Sequence, residues 1–305
     1  MLTIFSLPKP FKGHIKIIQD NAIQSWLRLE PRCEIILLGD DKGTRETAGR
    51  FHVRHSPDIV RNEYGTPLVS SVFNTGQSLA SNDIVCYINA DIILPSDFLP
   101  AVNKVMKKKN RFLIIGRRWD IDITKSVDFS NPDWELDIHR QIVEYGSLHG
   151  RAGLDYFVFP RALYQDTPPF AIGRTAWDNW LVYRARSLGA PVIDATQAVT
   201  AVHQNHDYSH NPEGTDGVWE GPEALRNREL AGGENHSFNI DHATWILTPK
   251  GMKRAHTIRR MFFCLEELPI LHPQVDFLSQ PINTFKGFLI AIRRSLGVYK
   301  VKNLQ

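Results

Sequence analysis

The order of apolar and polar positions in the first third of the chain alternates between strand-like and helix-like segments. Short apolar runs at 2–7, 33–38 and 84–94 predict strands. Apolar residues at helical spacing predict helices over 14–29 and 69–80. Alternation of this kind is typical of a mainly parallel sheet with helices on both faces. Ligands of such sheets bind beyond the carboxyl ends of the strands.

Elsewhere along the chain the pattern is more mixed. We predict further strands at 51–55, 112–116 and 154–160, helices at 97–108 and 175–188, and one or two short strands within 192–202. Residues 205–236 are polar and rich in Gly, Asn, His and Glu, which predicts a long flexible loop. The expected fold class is α/β: a Rossmann-type mixed, mainly parallel sheet flanked by helices, in a single elaborated domain.

Two halves and a tail are predicted within this chain. The halves are 1–95 and 96–275, and the tail is 276–305. Within the tail, residues 284–296 combine apolar side chains with basic ones. A basic amphipathic helix of this kind either docks on the protein core or lies on an anionic membrane, so peripheral membrane contact through 284–296 stays open as an alternative.

Composition and charge exclude several classes of protein. The 305 residues are 42% hydrophobic and 23% charged, which is ordinary for a globular chain. A net charge of +3, with Lys and Arg spread along the chain, argues against nucleic acid as a partner. Three distant cysteines indicate thiols in a reducing compartment. With neither a signal peptide nor a stretch of about 20 apolar residues, the expected location is the cytoplasm.

The most informative polar residues interrupt the apolar run at 84–94. Asn89 and Asp91 stand there with only Ala90 between them. An isolated buried carboxylate costs several kcal/mol, so Asp91 needs a partner, a cation or a cleft. We predict that Asp91 holds Mg²⁺ or Mn²⁺ on a diphosphate. Asp91 as a mere helix cap is the simpler alternative, and Asp120 and Asp122 form a rival Asp-x-Asp motif for the metal.

Two polar segments near this strand are weaker candidates. Gly76 lets a backbone or ligand come close, so Asn74-Thr75-Gly76 suits contact with a sugar or diphosphate, although for these residues taken alone an irregular helical turn is the better explanation. Asp40, after the second predicted strand, is able to accept hydrogen bonds from a ribose or base. Gly-Asp-Asp-Lys-Gly is also ordinary turn chemistry.

A third candidate region opens the predicted helix at 175–188. Asp178 suits a general base if an apolar pocket raises its pKa, while Trp177 and Asn179 suggest a sugar-binding surface. Asp178 also fits a capping box, and both roles are compatible.

The fourth candidate is a histidine-rich segment after an apolar run. His203 is predicted to complete the metal shell, whereas His206 and His210 are interpreted as solvated loop residues. A zinc hydrolase built on this cluster is an alternative, but no His-Glu-x-x-His helix supports it.

These residues together resemble the nucleotide-sugar glycosyltransferases of the GT-A type. The resemblance covers residues 1–205 and is strongest over 69–94, where an Asn-x-Gly helix precedes the strand that carries Asp-x-Asp in the family. Asn89 replaces the first Asp, which leaves Asp91 as the main ligand. In the GT-A-like arrangement, 1–95 is the nucleotide-sugar-binding half and 96–275 the acceptor and catalytic half.

The resemblance also implies roles for single residues. It implies that Pro8 and Asp40 lie near the nucleotide base, that Asp155 lines the acceptor side, that Asp178 is the base, and that His203 joins Asp91 at the metal. Asn74 and Asn89 are the further candidates for the nucleotide sugar, and Trp177 and Asn179 are the further candidates for the acceptor side.

The predicted function is metal-dependent transfer of a sugar from a nucleoside diphosphate sugar to a glycan or other hydroxyl acceptor. An inverting outcome follows if Asp178 is the base. Polysaccharide biosynthesis is the process expected. Alternatives are a sugar nucleotidyltransferase, whose Gly-rich loop is missing after Leu7, and a non-catalytic carbohydrate-binding protein. Donor, acceptor and oligomeric state stay open.

Overall fold

The structure, a computed structural model, describes residues 1–206, 214–256 and 258–278 together with residues 280 and 284. Contacts divide the chain into one unit of residues 1–255 and a second unit that begins at His256. The first unit contains both predicted halves up to residue 255. The tail helix expected at 284–296 lies outside the described residues beyond residue 284.

Strands and helices alternate through most of the first unit, and a further helix lies in the second. The strands are β1 Leu2–Ser6, β2 Glu34–Leu38, β3 Arg54–Ser56, β4 Ile84–Ile88, β5 Ile92–Ile93, β6 Leu113–Ile115, β7 Arg118–Ile121, β8 Ser147–Leu148, β9 Tyr156–Pro160, β10 Val192–Asp194, β11 Ala201–Gln204, β12 Trp245–Thr248 and β13 Gly251–Arg254. The helices are α1 Gly13–Trp26, α2 Thr44–Phe51, α3 Val69–Leu79, α4 Phe98–Met106, α5 Trp134–Tyr145, α6 Trp177–Ser187, α7 Gly214–Trp219, α8 Pro222–Ala231 and α9 Ile258–Leu271. Short 3-10 helices span Glu234–His236, Ile240–His242 and Pro273–Leu278.

Two sheets organise the described part of the first unit. The large sheet has the strand order β13-β12-β10-β6-β9-β4-β1-β2-β3, and the small sheet has the order β5-β11-β7-β8. In the large sheet, β9 and β13 run antiparallel to their neighbours, and the other pairings are parallel. The predicted mixed, mainly parallel α/β sheet is therefore confirmed.

The central strands separate two apolar layers because successive side chains point to opposite faces. On one face, Ile4, Cys86 and Val158 belong to a cluster of buried, mostly aliphatic residues that includes Trp26 of α1 and Phe98 of α4. The other face is aromatic: the described rings in contact are Phe5, Phe73, Tyr87, Phe157, Phe159, Tyr164 and Trp177. Burial on both faces explains the near-continuous apolar runs of these strands.

The predicted strand over 84–94 is wrong in one respect that matters for the site. The chain leaves the large sheet after Ile88, turns, and continues as β5, which pairs antiparallel with β11 of the small sheet. The turn is closed by a hydrogen bond from Ile92 N to Asn89 O at 3.2 Å. Asn89 and Asp91 therefore lie at the junction of the two sheets.

The prediction of a flexible loop at 205–236 is also wrong from residue 214 onward. Residues 214–236 contain α7, α8 and a 3-10 helix. Pro222 opens α8, and Gly232 ends it with a φ of 84°, a backbone conformation that favours glycine. Both signals were present in the sequence. Residues 207–213, which include His210, lie outside the described residues.

Other differences concern the first half of the chain. Phe51 ends α2 rather than starting a strand, and the strand follows at Arg54–Ser56. Helix α5 was not predicted. Among the described residues, no helix has the length and apolar content that a bilayer span requires.

Gly76 is the closest contact between α3 and the sheet. A Cβ at this position would overlap the ring of Phe5 on β1. The Gly in Asn-Thr-Gly thus lets the helix lie against the strand, rather than providing the predicted approach to a ligand.

We expect Gly76→Ala to lower the free energy of unfolding by about 1–3 kcal/mol, because overpacking forces Phe5 or α3 to move. Gly49→Ala in α2 is the matched control, since a Cβ there meets nothing within 4 Å. That variant should gain about 0.5–1 kcal/mol from lower backbone entropy in the unfolded chain. Urea unfolding measures both, and equal effects of the two substitutions would contradict the close-contact interpretation.

Candidate active site

The backbone of Asp91 is held by one buried amide. Gln204, at the end of β11, donates to Asp91 O from its backbone N at 3.3 Å and from its side-chain Nε2 at 3.0 Å. The Gln204 side chain is fully buried and also bonds Asn21 and the carbonyl of Ile18, both on α1. These contacts fix the position of Asp91 relative to β11 and α1.

Asp91 faces two histidines from the end of β11. Its Oδ2 lies 3.1 Å from His206 Nε2 and 3.9 Å from His203 Nε2. Within the described residues, Asp91, His203 and His206 form a group whose ligand atoms all lie within 4.8 Å of one another. Lys9, just after β1, places its Nζ 3.3 Å from His206 Nε2. A carboxylate and two imidazoles converge here on one point.

The second carboxylate oxygen of Asp91 indicates what this site is able to bind. Asp91 Oδ1 is buried and has no hydrogen-bond partner among the residues that the structure describes. A buried carboxylate oxygen left this way costs free energy. A cation between this carboxylate and the histidines would satisfy it, so the donor set fits a divalent metal with mixed nitrogen and oxygen ligands.

The charged groups around Asp91 shift its pKa and the pKa of His203. Burial opposes ionisation of Asp91, but the hydrogen bond from His206 and the charges of His203 and Lys9 outweigh it and hold the pKa of Asp91 well below its usual range. Burial likewise disfavours the charged form of His203, yet Asp120 and Asp91 raise the pKa of this imidazole. Asp91 is therefore ionised at neutral pH.

Asn89 and Asp155 are bound to each other. Asp155 Oδ1 accepts from Asn89 Nδ2 at 2.8 Å, and Asp155 Oδ2 accepts from Arg118 Nη1 at 2.5 Å. Asn89 Oδ1 in turn accepts from the hydroxyl of Tyr87 at 3.1 Å. The polar atoms expected to touch the donor or the acceptor are thus engaged inside the protein, where they brace the turn that carries Asp91.

Asp178 lies in the first turn of α6, as predicted. Burial is the dominant effect and raises the pKa of Asp178 to about 7, while the backbone amides of Asn179 and Leu154 oppose this rise. The residue keeps part of its surface accessible. A carboxyl with this pKa and partial access is suited to take a proton near neutral pH.

The backbone just before Asp178 is strained. Ala176 has a φ of 81°, which costs about 1–3 kcal/mol for a residue with a Cβ. The segment is held from α7 and α8: Thr175 N donates to Val218 O at 3.2 Å, and Asn227 Nδ2 donates to Thr175 O at 3.0 Å. The sequence offered no sign of this support.

The sugar-stacking surface expected around Trp177 is wrong. Trp177 is 6% exposed and its ring contacts Tyr87 and Phe157 in the aromatic layer. Asn179 uses its Nδ2 to bond the carbonyls of Ala152 and Phe238. The aromatic residues of this segment belong to the core because they pack on the aromatic face of the large sheet.

The predicted base-binding residues lie in different surroundings. Pro8 is buried after β1, and Asp40 is exposed after β2, so both follow the carboxyl ends of paired parallel strands, as Asn89 does after β4. Asp40 Oδ1 accepts from Arg61 Nη2 at 2.9 Å, a hydrogen bond that lowers the pKa of Asp40. Asn74 is exposed on α3 and borders a shallow depression that contains none of the Asp91 group.

The interpretation of His206 as a solvated loop residue is wrong. Its side chain is 7% exposed and lies against Asp91 and Lys9. The spacing His-x-x-His directly after an apolar strand was the signal that could have found it. The rival Asp122 bonds Asn205 and is not part of the group.

Part of the chain matches a known protein family. Residues 20–165 match the family model described as Glycosyl transferase family 2. The matched segment contains Asn89, Asp91, Asp120 and Asp155. The match confirms the resemblance to GT-A nucleotide-sugar glycosyltransferases. A comparison with curated protein sequences finds no match.

Several solved structures are similar to this chain. TarS 1-349 of S. aureus, in complex with UDP-GlcNAc, is 11% identical, with 68% of this chain and 60% of that chain covered and a TM-score of 0.48. Glucosyl-3-phosphoglycerate synthase from Mycobacterium tuberculosis, in complex with Mg²⁺ and UDP, is 16% identical, with 68% of this chain and 72% of that chain covered and a TM-score of 0.42. Mannosyltransferase PcManGT from Pyrobaculum calidifontis, in complex with GDP-Man and Mn²⁺, is 14% identical, with 66% of this chain and 56% of that chain covered and a TM-score of 0.41.

The raised pKa of Asp178 predicts a pH-dependent difference in stability between the wild type and Asp178→Asn. Because the folded pKa is about 7 and the ordinary value is 3.8, the carboxyl favours the folded state fully only below pH ~4. This contribution is lost as pH rises through about 7. Urea unfolding at a series of pH values should therefore show the wild type losing stability relative to Asp178→Asn between pH 4 and 7, with no further change above. A difference that is constant with pH would contradict the raised pKa.

Proposed function

We propose that this protein transfers a sugar from a nucleoside diphosphate sugar to a hydroxyl group of an acceptor, with inversion at the anomeric carbon. The observation that carries the proposal is Asp91: an ionised carboxylate with a buried, unsatisfied Oδ1 that faces two histidines. Asp91 lies within the segment that matches the family 2 glycosyltransferase model. Nucleotide-sugar chemistry needs positive charge at this point, because the departing diphosphate carries several negative charges.

Asp91, His203 and His206 are the proposed ligands of a divalent metal, Mn²⁺ or Mg²⁺. A metal bound there would act as a Lewis acid toward the diphosphate leaving group. Two imidazoles with one carboxylate also suit Zn²⁺, so this ion belongs in every assay. Lys9, beside His206, would add a second positive charge on the diphosphate side.

Asp178 is the proposed general base. Its carboxylate takes the proton from the acceptor hydroxyl as the hydroxyl oxygen forms its bond to the anomeric carbon. The bond between that carbon and the diphosphate oxygen breaks, and the nucleoside diphosphate leaves with the electron pair. A pKa near 7 leaves a useful fraction of Asp178 ionised at neutral pH while keeping it basic enough to accept the proton.

The remaining residues divide into contact and support roles. Pro8 and Asp40 are proposed to lie beside the nucleotide base, since each directly follows a parallel strand at the carboxyl edge of the sheet. Asn89 and Asp155 are proposed to shape the site through their mutual hydrogen bonds. Asn74 remains a proposed donor contact with no support from its surroundings.

The proposed location is the cytoplasm. Cys33, Cys86 and Cys264, all within the described residues, are free thiols, which suits a reducing compartment. Peripheral membrane contact through 284–296 stays part of the proposal.

Asp91→Ala should lower kcat/KM for metal-dependent turnover of a nucleotide sugar by about 100-fold or more, because it removes charge that stabilises the leaving diphosphate. The assay is release of UDP or GDP from a panel of nucleotide sugars with Mn²⁺, Mg²⁺ or Zn²⁺. Asp122→Ala is the matched control, since Asp122 bonds only Asn205 among the described residues. Equal activity of Asp91→Ala and the wild type would overturn the proposal.

A sugar nucleotidyltransferase or a non-catalytic carbohydrate-binding protein would release no UDP or GDP in this assay, and each is recognised by a further measurement. The first would turn over a nucleoside triphosphate with a sugar phosphate, and the second would bind glycans without metal and turn over nothing.

Activity should also follow the ionisation of Asp178. We expect kcat/KM to fall below a midpoint near pH 7, where the base becomes protonated. Asp178→Asn should lower kcat by about 100- to 10,000-fold at pH 8 while the protein stays folded. A pH series of initial rates measures the midpoint. Wild-type activity in folded Asp178→Asn would assign the base elsewhere.

A further inference from the structure

The small sheet brings a second carboxylate to His203. His203 lies on β11, between β5 and β7, and its register partners are Ile92 on β5 and Asp120 on β7. Side chains at paired positions of neighbouring strands point to the same face of a sheet. Asp120 is therefore placed beside His203 by the backbone, and Asp91, which directly precedes β5, lies on the other side.

The two nitrogens of His203 have different neighbours. Its Nε2 lies 3.9 Å from Asp91 Oδ2, whereas its buried Nδ1 lies 3.2 Å from Asp120 Oδ1, within ion-pair distance but without the alignment of a hydrogen bond. A neutral imidazole that binds a metal through one nitrogen carries its proton on the other. A carboxylate 3.2 Å from Nδ1 favours a proton on that nitrogen, and a modest rotation of the ring would align the two for a hydrogen bond. A proton on Nδ1 leaves the Nε2 lone pair free to bind a metal beside Asp91.

Asp120 is itself held in place from two sides. Arg118 Nε donates to Asp120 Oδ1 at 2.8 Å, and His149 Nδ1 lies 2.7 Å from Asp120 Oδ2. Arg118 also reaches Asp155, which bonds Asn89 in the turn before Asp91. One arginine thus links the carboxylate beside His203 to the turn that carries Asp91.

We infer that Asp120 is a positioning residue that sets the tautomer and ring orientation of His203 for metal binding at Asp91, His203 and His206. This inference rests on the proposed function, because it takes the metal site as given. The Asp-x-Asp sequence at 120–122 then serves the metal without touching it: Asp120 orients a ligand, and Asp122 has no part.

The test measures Mn²⁺ affinity rather than activity. Isothermal titration of the full chain with Mn²⁺ compares the wild type, Asp120→Asn and the matched control Asp122→Asn. Loss of a carboxylate behind a metal-binding histidine weakens metal affinity by about 10- to 100-fold. We expect a loss of this size for Asp120→Asn and none for Asp122→Asn.

A double-mutant cycle distinguishes positioning from a general structural role. If Asp120 acts through His203, Asp120→Asn causes no further loss in a His203→Ala background, whereas a structural role gives the same loss in both backgrounds. Thermal unfolding checks that each variant is folded. If Asp120→Asn does not fold, Asp120→Glu replaces it, because it keeps the charge for Arg118 but displaces the oxygen from His203, and the same pattern of loss is expected.

The outcomes separate this inference from the proposed function. If the wild type does not bind Mn²⁺, or Asp91→Ala binds it equally well, the metal site itself is wrong. If binding depends on Asp91 and His203 but Asp120→Asn binds like the wild type, the inference alone fails. It also fails if the loss persists undiminished in the His203→Ala background.

Discussion

An ionised carboxylate that is largely removed from water must be balanced by positive charge, and in this protein that constraint falls on Asp91. The desolvation of a carboxylate costs several kcal/mol unless it is paired and hydrogen-bonded. His203 and His206, more than 100 residues after Asp91, and Lys9, near the start of the chain, provide this positive charge. The turn after β4, the end of β11 and the end of β1 therefore have to meet at one place.

The packing of the two sheets makes this meeting possible. β4 is buried in the large sheet, while β5 crosses into the small sheet only three residues later. Gln204, fully buried, bonds the carbonyl of Asp91 and two groups on α1, so the polar backbone at the junction is satisfied without water. An apolar side chain at 204 would remove the side-chain bonds to Asp91 O, Asn21 and Ile18 O, and leave Asp91 O with the backbone N of residue 204.

Asp178 shows the opposite use of burial. Burial opposes the ionisation of both carboxyls. Asp91 stays ionised because the histidines and Lys9 compensate for the loss of water. Asp178 is flanked by backbone amides and the negative charge of Asp155, so its pKa rises to about 7. The two carboxylates therefore differ in the way that a metal ligand and a general base require. The strained backbone at Ala176 starts the helix that carries Asp178, and the hydrogen bonds of Thr175 to α7 and α8 hold this segment in place.

The sequence by itself determined the α/β class, the main strands and helices, and Asp91, Asp178 and His203 as candidates. Each of these depends on local periodicity or on a polar residue in an apolar run, which neighbouring residues reveal. Only the tertiary structure decided that Trp177 is a core residue and that Asn89 bonds Asp155. It also decided that His206 joins Asp91, and that the run at 84–94 serves two sheets. These facts depend on contacts between residues far apart in the chain, whose geometry is set by packing and strand register rather than by local pattern.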